Sequence, residues 1–300
     1  MMTLSQLHTF QTVARLNSFS RAADELHLTQ PAVSAQIVAL ENALAIKLFD
    51  RIGKKIALTD AGLIVLDASA GILARVDEMR AALNDLGGLR AGSLHIGASL
   101  VVGVYILPEI LAKFKERYPQ IDFTLRVELA RSIVDKVARN ELDIGIIAEG
   151  APVTDERVAV KPILKDELVL IVPRNHPWSQ REEVLLSELS DVTWVLPGND
   201  CASSESVLEQ IHANGITLKS VIELGNVGAA KRAVEAGLGV SIVSRCAILR
   251  ELREGRLQAV RISGTPMTRD ISLCWHHGKR FSKLTAAFIN FVQKNVAPAH

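Results

Sequence analysis

Between Gln30 and Leu44, apolar residues recur at Val33, Ile37, Leu40 and Leu44, the spacing that lays one stripe of a helix against a core. A shorter helix, from about Ser20 to Leu26, precedes it across a tight turn. Ser20 and Thr29 are placed to cap the two helices, each hydroxyl accepting a bond from an otherwise unpaired N–H. Pro31 falls in the first turn of the second helix, where it sacrifices no helical hydrogen bond. Leu4, Leu7, Phe10, Val13, Ala14 and Leu16 mark an amphipathic helix that would pack behind the pair. Residues 49–58, FDRIGKKIAL, predict two short extended arms around a turn at Gly53. From the capping Thr59 to Leu86 the chain has no proline, and Leu63, Leu66, Ala70, Leu73, Val76, Met79, Leu83 and Leu86 form a heptad seam with a stammer near Leu73–Val76. Such a seam buries itself against a second copy, the alternative being that one end packs on the chain's own downstream domain. Gly87-Gly88 would end this helix, and Arg90-Ala91-Gly92 would be a hinge.

From Ser93 the pattern changes. Strands at 93–98, 122–128 and 143–148 alternate with helices at 108–118 and 132–140, Ser132 and Asp135 forming a capping-box-like pair. Further on, strands at 167–172, 193–196, 221–224, 240–243 and 269–275 alternate with helices at 186–189, 204–214, 227–235 and 282–294. Strand–helix–strand repetition predicts a mostly parallel sheet with helices on its faces. Two lobes of similar size follow: lobe I at 92–161 and 268–300, lobe II at 162–267. The Gly237-Leu238-Gly239 turn lies after a helix, whereas a phosphate fingerprint needs glycine between a strand and a helix.

The stripe of the 30–44 helix opposite its core face carries Pro31, Ser34, Ala35, Val38 and Asn42, and Glu41 is the sole charge between Pro31 and Leu44. A face meeting water alone would favour Lys and Glu. Small, apolar and amide groups, with Gln30 at the helix start, suit a helix entering the DNA major groove, where amides pair with base edges and small apolar groups touch thymine methyls. An ordinary helical hairpin with a second buried face is the competing reading.

Net charge is +1, so no global pull toward DNA exists; from Met1 to Leu58 six cations face four acids. That local excess suffices only if two copies bind together, since phosphate contacts add per subunit. Arg51, Lys54 and Lys55 on the predicted wing are candidate phosphate or minor-groove contacts. Three scattered cysteines, Cys201, Cys246 and Cys274, fit a reducing cytoplasm and no zinc spacing. His276-His277 would point to opposite faces of a strand and cannot chelate one metal together. The stretch MMTLSQLHTF does not read as a signal peptide, and no apolar run reaches the ~18 residues of a membrane helix.

Residues 4–67 resemble the DNA-binding region of LysR-type transcriptional regulators. The likeness is carried by Phe10, Val13, Ser18-Phe19-Ser20, Ala22-Ala23, Leu26, Thr29-Gln30-Pro31-Ala32-Val33-Ser34, Gln36-Ile37, Leu40-Glu41, Leu48-Phe49, Arg51 and Leu58-Thr59-Asp60-Ala61-Gly62, in one register. Ala35 departs from it, since the family often carries Arg or Lys there, which removes a bidentate base contact. A weaker resemblance continues through GASLVVGVYILPEIL, ELDIGI and AVEAGLGVSIVS. It implies an α+β chain: a winged helix-turn-helix domain at 1–58, a linker and dimerisation helix at 59–88, and a two-lobe, periplasmic-binding-protein-like effector domain at 89–300. It also implies a dimer of dimers on an inverted repeat, with RNA polymerase as a further partner.

In such a domain a cleft between the lobes faces strand ends and helix N-termini, whose free N–H groups favour small anions. Candidate contacts are Ser99, Ser132, Ser203, Ser204 and Asn226 at helix starts, and Ala148 at the hinge. Leu100 and Val101 follow Ser99 where the family often has hydroxyls, which makes the cleft mouth more apolar. Rival readings are an enzyme, a solute-binding protein, and a thiol redox sensor acting through Cys201. The first lacks a nucleophile–base pair, metal cluster or cofactor motif, and the second is at odds with the N-terminal helix pair. A DNA-binding regulator, non-enzymatic and without a cofactor, is the expectation.

Overall fold

A computed structural model describes residues 1–52, 55–86, 92–148, 153–198, 211, 215, 217–218, 220–264 and 267–296; at 51, 52, 55, 77, 78, 80–82 and 84–86 it describes the backbone alone. The chain divides into two compact units, residues 1–87 with 139–141, and 88–138 with 142–300.

The first unit opens with helices α1 (Leu4–Leu16), α2 (Phe19–Leu26) and α3 (Gln30–Leu44). Leu7, Phe10, Val13, Ala22, Ala23, Val33, Ile37, Leu40 and Leu48 form its core. Thr29 caps α3 as expected, accepting the Ala32 N–H, with Pro31 in the first turn. The cap of α2 is Ser18 rather than Ser20: Ser18 is extended and accepts the Arg21 N–H, while Ser20 is exposed inside the first turn. Helices α2 and α3 are joined through His27 in the left-handed region, φ 53°. Antiparallel strands β1 (Phe49–Ile52) and β2 (Lys55–Leu58) make the wing, in which Arg51 pairs with Ile56 and Ile52 with Lys55.

Helix α4 (Asp60–Leu86) starts at Thr59, whose Oγ1 accepts the Gly62 N–H at 2.9 Å. Glycine is required at 62, because a Cβ there would stand 2.2 Å from the Leu48 carbonyl oxygen. The predicted seam is divided in two. Leu66 and Leu73 pack on the three-helix core, Ala70 is buried, and Gln11 donates to Ser69 on the same side. Leu63, Met79 and Leu83 are exposed instead, together with Ile64 and Ile72. At ~100° per residue, Ile64, Ile72, Met79 and Leu83 share one face. Those four set the register of the exposed apolar stripe. Packing of α4 on its own N-terminal core rotates the helix away from the expected one. The expected Gly87-Gly88 terminus and the 90–91 part of the hinge lie outside the described residues.

The second unit is built on a mixed sheet. Its strands are β3 (Gly92–Ser99), β4 (Ile121–Glu128), β5 (Ile144–Ala148), β6 (Val158–Pro173), β7 (Glu183–Val184), β10 (Ser241–Ser244), β11 (Leu257–Ile262) and β12 (Thr268–His276). The order is β4-β3-β5-β12-β6-β11-β7, with β10 also on β6. Two further strands, β8 (Thr193–Leu196) and β9 (Ser220–Glu223), pair in parallel. Pairs β3–β4 and β3–β5 are parallel, but β12 is antiparallel to β5 and β6, and β6 is antiparallel to β10 and β11. This corrects the mostly parallel expectation. The cause is β6, sixteen residues long against the six predicted, which crosses from one lobe to the other beside β12. Lys161, Pro162, Lys165 and Asp166 interrupt its apolar run. The proline is accommodated at a register shift opposite Ile271/Ser272, the position where a central strand tolerates one. Strand β11 had no counterpart in the sequence reading.

Helices α5 (Leu107–Arg117), α6 (Ala130–Ala138), α7 (Val227–Glu235), α8 (Leu249–Arg253) and α9 (Lys283–Asn295) cover the faces. Lobe I buries Leu94, Ile96, Ala98, Ile146, Ile271 and Leu273 with Phe114 and Phe288, and Ile133, Val137 and Cys274 on its other side. Lobe II buries Leu168, Leu170, Trp194 and Ile242 on one side and Val169, Ile171, Val227 and Ala230 on the other. Helix α6 begins two residues before Ser132, so Ser132 is not its cap and makes no pair with Asp135.

Candidate nucleic-acid interface and effector cleft

On α3 the inner and outer faces have opposite chemistry. The inner face includes Glu41, only 6 % exposed. Its Oε1 accepts the Leu48 N–H at 2.9 Å and the Phe49 N–H at 3.4 Å, and its Oε2 takes the Lys47 ammonium at 2.5 Å. Burial pulls this carboxyl's pKa up, but the Lys47 and backbone hydrogen bonds outweigh it and hold the group below the ordinary value. Glu41 is therefore the strut that fixes the α3 terminus to the wing. Gln36 also turns inward, accepting the Thr9 hydroxyl at 2.7 Å.

The outer face has none of this. Pro31, Ala35, Val38 and Asn42 are exposed, Val38 to 48 %. Ser34 is half-buried and accepts the Gln30 amide at 3.3 Å, the one polar link along the stripe. The wing is fastened to the helices by Phe49, whose ring lies 5.3 Å from Phe10 and 5.7 Å from Phe19. Arg51 and Lys55 have their backbones in β1 and β2 of that wing; Lys54 lies outside the described residues. The predicted contacts thus gather on one helix face and the neighbouring hairpin, with Ser20 exposed on α2. An uncharged stripe that satisfies no internal group, beside a hairpin carrying cations, can meet base edges and phosphates together.

In the second unit the serines are already engaged, in different ways. Ser99, 7 % exposed at the end of β3, accepts the Ala148 N–H at 2.9 Å, tying β3 to β5 where the chain turns toward lobe II. Its own hydroxyl proton is not used in that bond and stays available. Leu100 is exposed and Val101 buried, the latter packing with Val195, Val227 and Val243 of lobe II. A π turn follows at Val102–Ile106. Ser132 spends its one proton on Glu128, whose other oxygen is paired with Lys136. These two hydrogen bonds, Lys136 foremost, hold the Glu128 carboxyl below its ordinary pKa. Asn226 caps α7 through Oδ1, which accepts the Ala229 N–H at 2.9 Å, leaving its amide protons free. Ser203, Ser204 and Cys201 lie outside the described residues. Toward an anion, then, Ser99 and Asn226 can donate, while Ser132 in this arrangement cannot.

Two charged clusters escaped the sequence reading, because their members are far apart in the chain. Lys231 bonds the Ala247 carbonyl and Glu251 and lies 4.9 Å from the Tyr105 ring centroid, a contact between the lobes. Asp166 and Arg269, 103 residues apart, form a buried ion pair at 2.9 Å, and Ser244 donates to the same carboxylate at 2.6 Å. The Ser244 proton being so used, the Cys246 thiol donates to Ser244 Oγ. Burial above all pushes the Cys246 thiol up to about 11. A thiol held so far above its ordinary value stays protonated at neutral pH, the unreactive form. Among the described residues no group of three or more His, Cys, Asp or Glu could hold a metal ion. No helix is long and apolar enough to cross a membrane there.

Residues 4–63 match the model of the bacterial regulatory helix-turn-helix protein, lysR family, and residues 87–297 match the LysR substrate binding domain. A RuBisCO operon transcriptional regulator from Allochromatium vinosum is 34% identical over 298 residues, 99% of this chain and 98% of that one. Full-length CbnR, solved in complex with its target DNA, superposes with a TM-score of 0.67 at 22% identity, covering 98% of this chain and all of that one. The regulatory domain of CcmR from Synechocystis PCC6803, solved with 2-PG, gives a TM-score of 0.63 at 25% identity over 69% of this chain and 100% of that one.

Proposed function

The chain belongs to the LysR family of transcriptional regulators, and on that premise we propose that it switches an operator through a small anion held between the lobes. The observation that carries the DNA half is the outer face of α3, exposed, uncharged and without an internal task. Gln30, Pro31, Ser34, Ala35 and Val38 read bases by amide and methyl contacts, Thr29 fixes the helix start, and Ser20, Arg51, Lys54 and Lys55 contact the backbone. Two such helices enter successive major grooves of an inverted repeat. The dimer forms through the exposed stripe Ile64, Ile72, Met79 and Leu83 within residues 59–88, a pair of dimers makes the working tetramer, and RNA polymerase is the downstream partner. Light scattering of a monomer at working concentration would overturn the assembly.

For the effector half, Ser99 and Asn226 keep free donors in the cleft region, as an anion needs, and Leu100, Val101 and Ala148 give it an apolar wall. Ser203 and Ser204 complete the site from lobe II. The likeness to a RuBisCO operon regulator and to a domain solved with 2-PG supports a carbon-assimilation operon as target and a phosphorylated or carboxylic anion as ligand. The anion biases lobe closure between two states. A thermal-shift screen of small carboxylates, phosphate esters and aromatic acids tests this. Stabilisation by none of these anions would refute the assignment.

A further inference from the structure

Asp166 and Arg269 lie where the sheet passes from one lobe to the other. On β6, Asp166 falls between Leu164, packed on the lobe I core, and Leu168, in the lobe II core; on β12, Arg269 falls between Met267 of lobe II and Ile271 of lobe I. Both side chains are 4 % exposed. A buried guanidinium beside a carboxylate ordinarily makes a two-pronged contact. Here it does not. One Asp166 oxygen is occupied by the Ser244 hydroxyl, so Arg269 reaches the other through Nε alone. Its Nη2 is buried and has no partner among the described residues. Leaving such a donor unpaired is costly, and the remaining Nη1/Nη2 edge has the geometry that accepts two oxygens of a carboxylate or phosphate.

The place of this edge matters as much as its vacancy. Ile271 pairs across the sheet with Ala148, and Ser99 accepts the Ala148 N–H. Arg269 is two residues along β12 from Ile271, on the same face and roughly 7 Å away. The Ser99 hydroxyl proton and the Arg269 fork are thus two unspent donors flanking one strand junction. We propose that Arg269 is the anion anchor of the effector site, its Nη1/Nη2 edge gripping a carboxylate or phosphate group while Asp166 and Ser244 hold the guanidinium rigid. This rests on the reading of an anionic effector between the lobes.

The test uses the full-length protein, with 2-PG and inorganic phosphate as probes in isothermal titration calorimetry. Arg269→Lys keeps the charge opposite Asp166 but presents no fork, and it is expected to weaken 2-PG binding about tenfold or more. The double variant Asp166→Asn/Arg269→Gln removes both buried charges together and leaves a polar side chain at each position, so a folded protein without the anchor is obtained even if the single change unfolds. It is expected to lose binding to the same degree while operator affinity without ligand stays as in the wild type. Wild-type affinity for 2-PG in both variants would overturn the anchor and leave the effector reading standing. Absence of any anion binding by the wild type would overturn that reading and the anchor with it.

Discussion

The outer face of α3 and the serine-bearing strand ends of the second unit were both singled out by polar or small residues at element starts, yet they differ in kind. On α3, Ala35, Val38 and Asn42 touch no internal polar group, so removing them costs the fold little. Ser99, Ser132 and Asn226 each close a bond that the fold needs. A residue with no internal task advertises an external one. A residue with an internal task can still have an external one, but only through the donor or acceptor it has left. By that criterion the DNA face is defined by what it lacks, and the effector site by unspent protons.

The largest expected effect breaks the comparison on the α3 side. Ala35→Asp places a carboxylate against the groove, and specific operator affinity should fall by about two orders of magnitude or more, with the melting temperature unchanged. Undiminished affinity in a fluorescence titration at fixed salt would remove α3 from the groove. On the inner face of the same helix the outcome is inverted. Glu41→Gln weakens its bonds to Lys47, Leu48 and Phe49 and should cost about 2 kcal/mol of stability at neutral pH. Its folded pKa is depressed, so this stabilisation is present above the ordinary carboxylate value and vanishes as pH falls through the folded one. Wild type and Glu41→Gln should therefore converge in acid; a gap that stays constant down to the folded pKa would show that Glu41 acts through packing.

Much of the first unit was legible because its signals are local. Val33, Ile37 and Leu40 are buried at the spacing that announced them, and Thr29 and Pro31 open α3 as their chemistry requires. The assignment of Ser20 as cap missed by two residues, since Ser18 and Ser20 are both hydroxyls near one boundary and only the backbone conformation decides between them. The register of α4 was misjudged because apolar residues lie on more than one of its faces, and the choice between faces is made by the surface of α1. In the second unit the strands after Ser93 were readable, but β6 was not, since its crossing half carries Lys, Pro and Asp in a place where burial depends on β12, a hundred residues on. The Arg269–Asp166 pair was invisible for the same reason.

Intermediate effects sharpen the second unit. Ser99→Ala orphans the buried Ala148 N–H and should destabilise by roughly 1–2 kcal/mol while also weakening the effector response. Loss of stability with a full response would make Ser99 a brace only. Asn226→Ala removes the cap of α7 and its amide donors, at about 1 kcal/mol, read in chemical denaturation, together with weaker anion binding.

The smallest effect is the most discriminating. Ser132 gives its single proton to a carboxylate that Lys136 already neutralises, on a side chain 31 % exposed. Ser132→Ala should cost no more than about 0.5–1 kcal/mol, because water can replace the hydroxyl at a half-buried site. Its effect on anion affinity should be nil, since its one proton is already spent on Glu128 and none is left to donate to an anion. The paired comparison with Ser99→Ala, measured by calorimetry against the same anion, then isolates the unspent proton as the variable: one serine at the end of β3 able to donate, one in the first turn of α6 not. Equal losses in the two variants would mean that Ser132 lets go of Glu128 when ligand arrives and donates to the anion as Ser99 does.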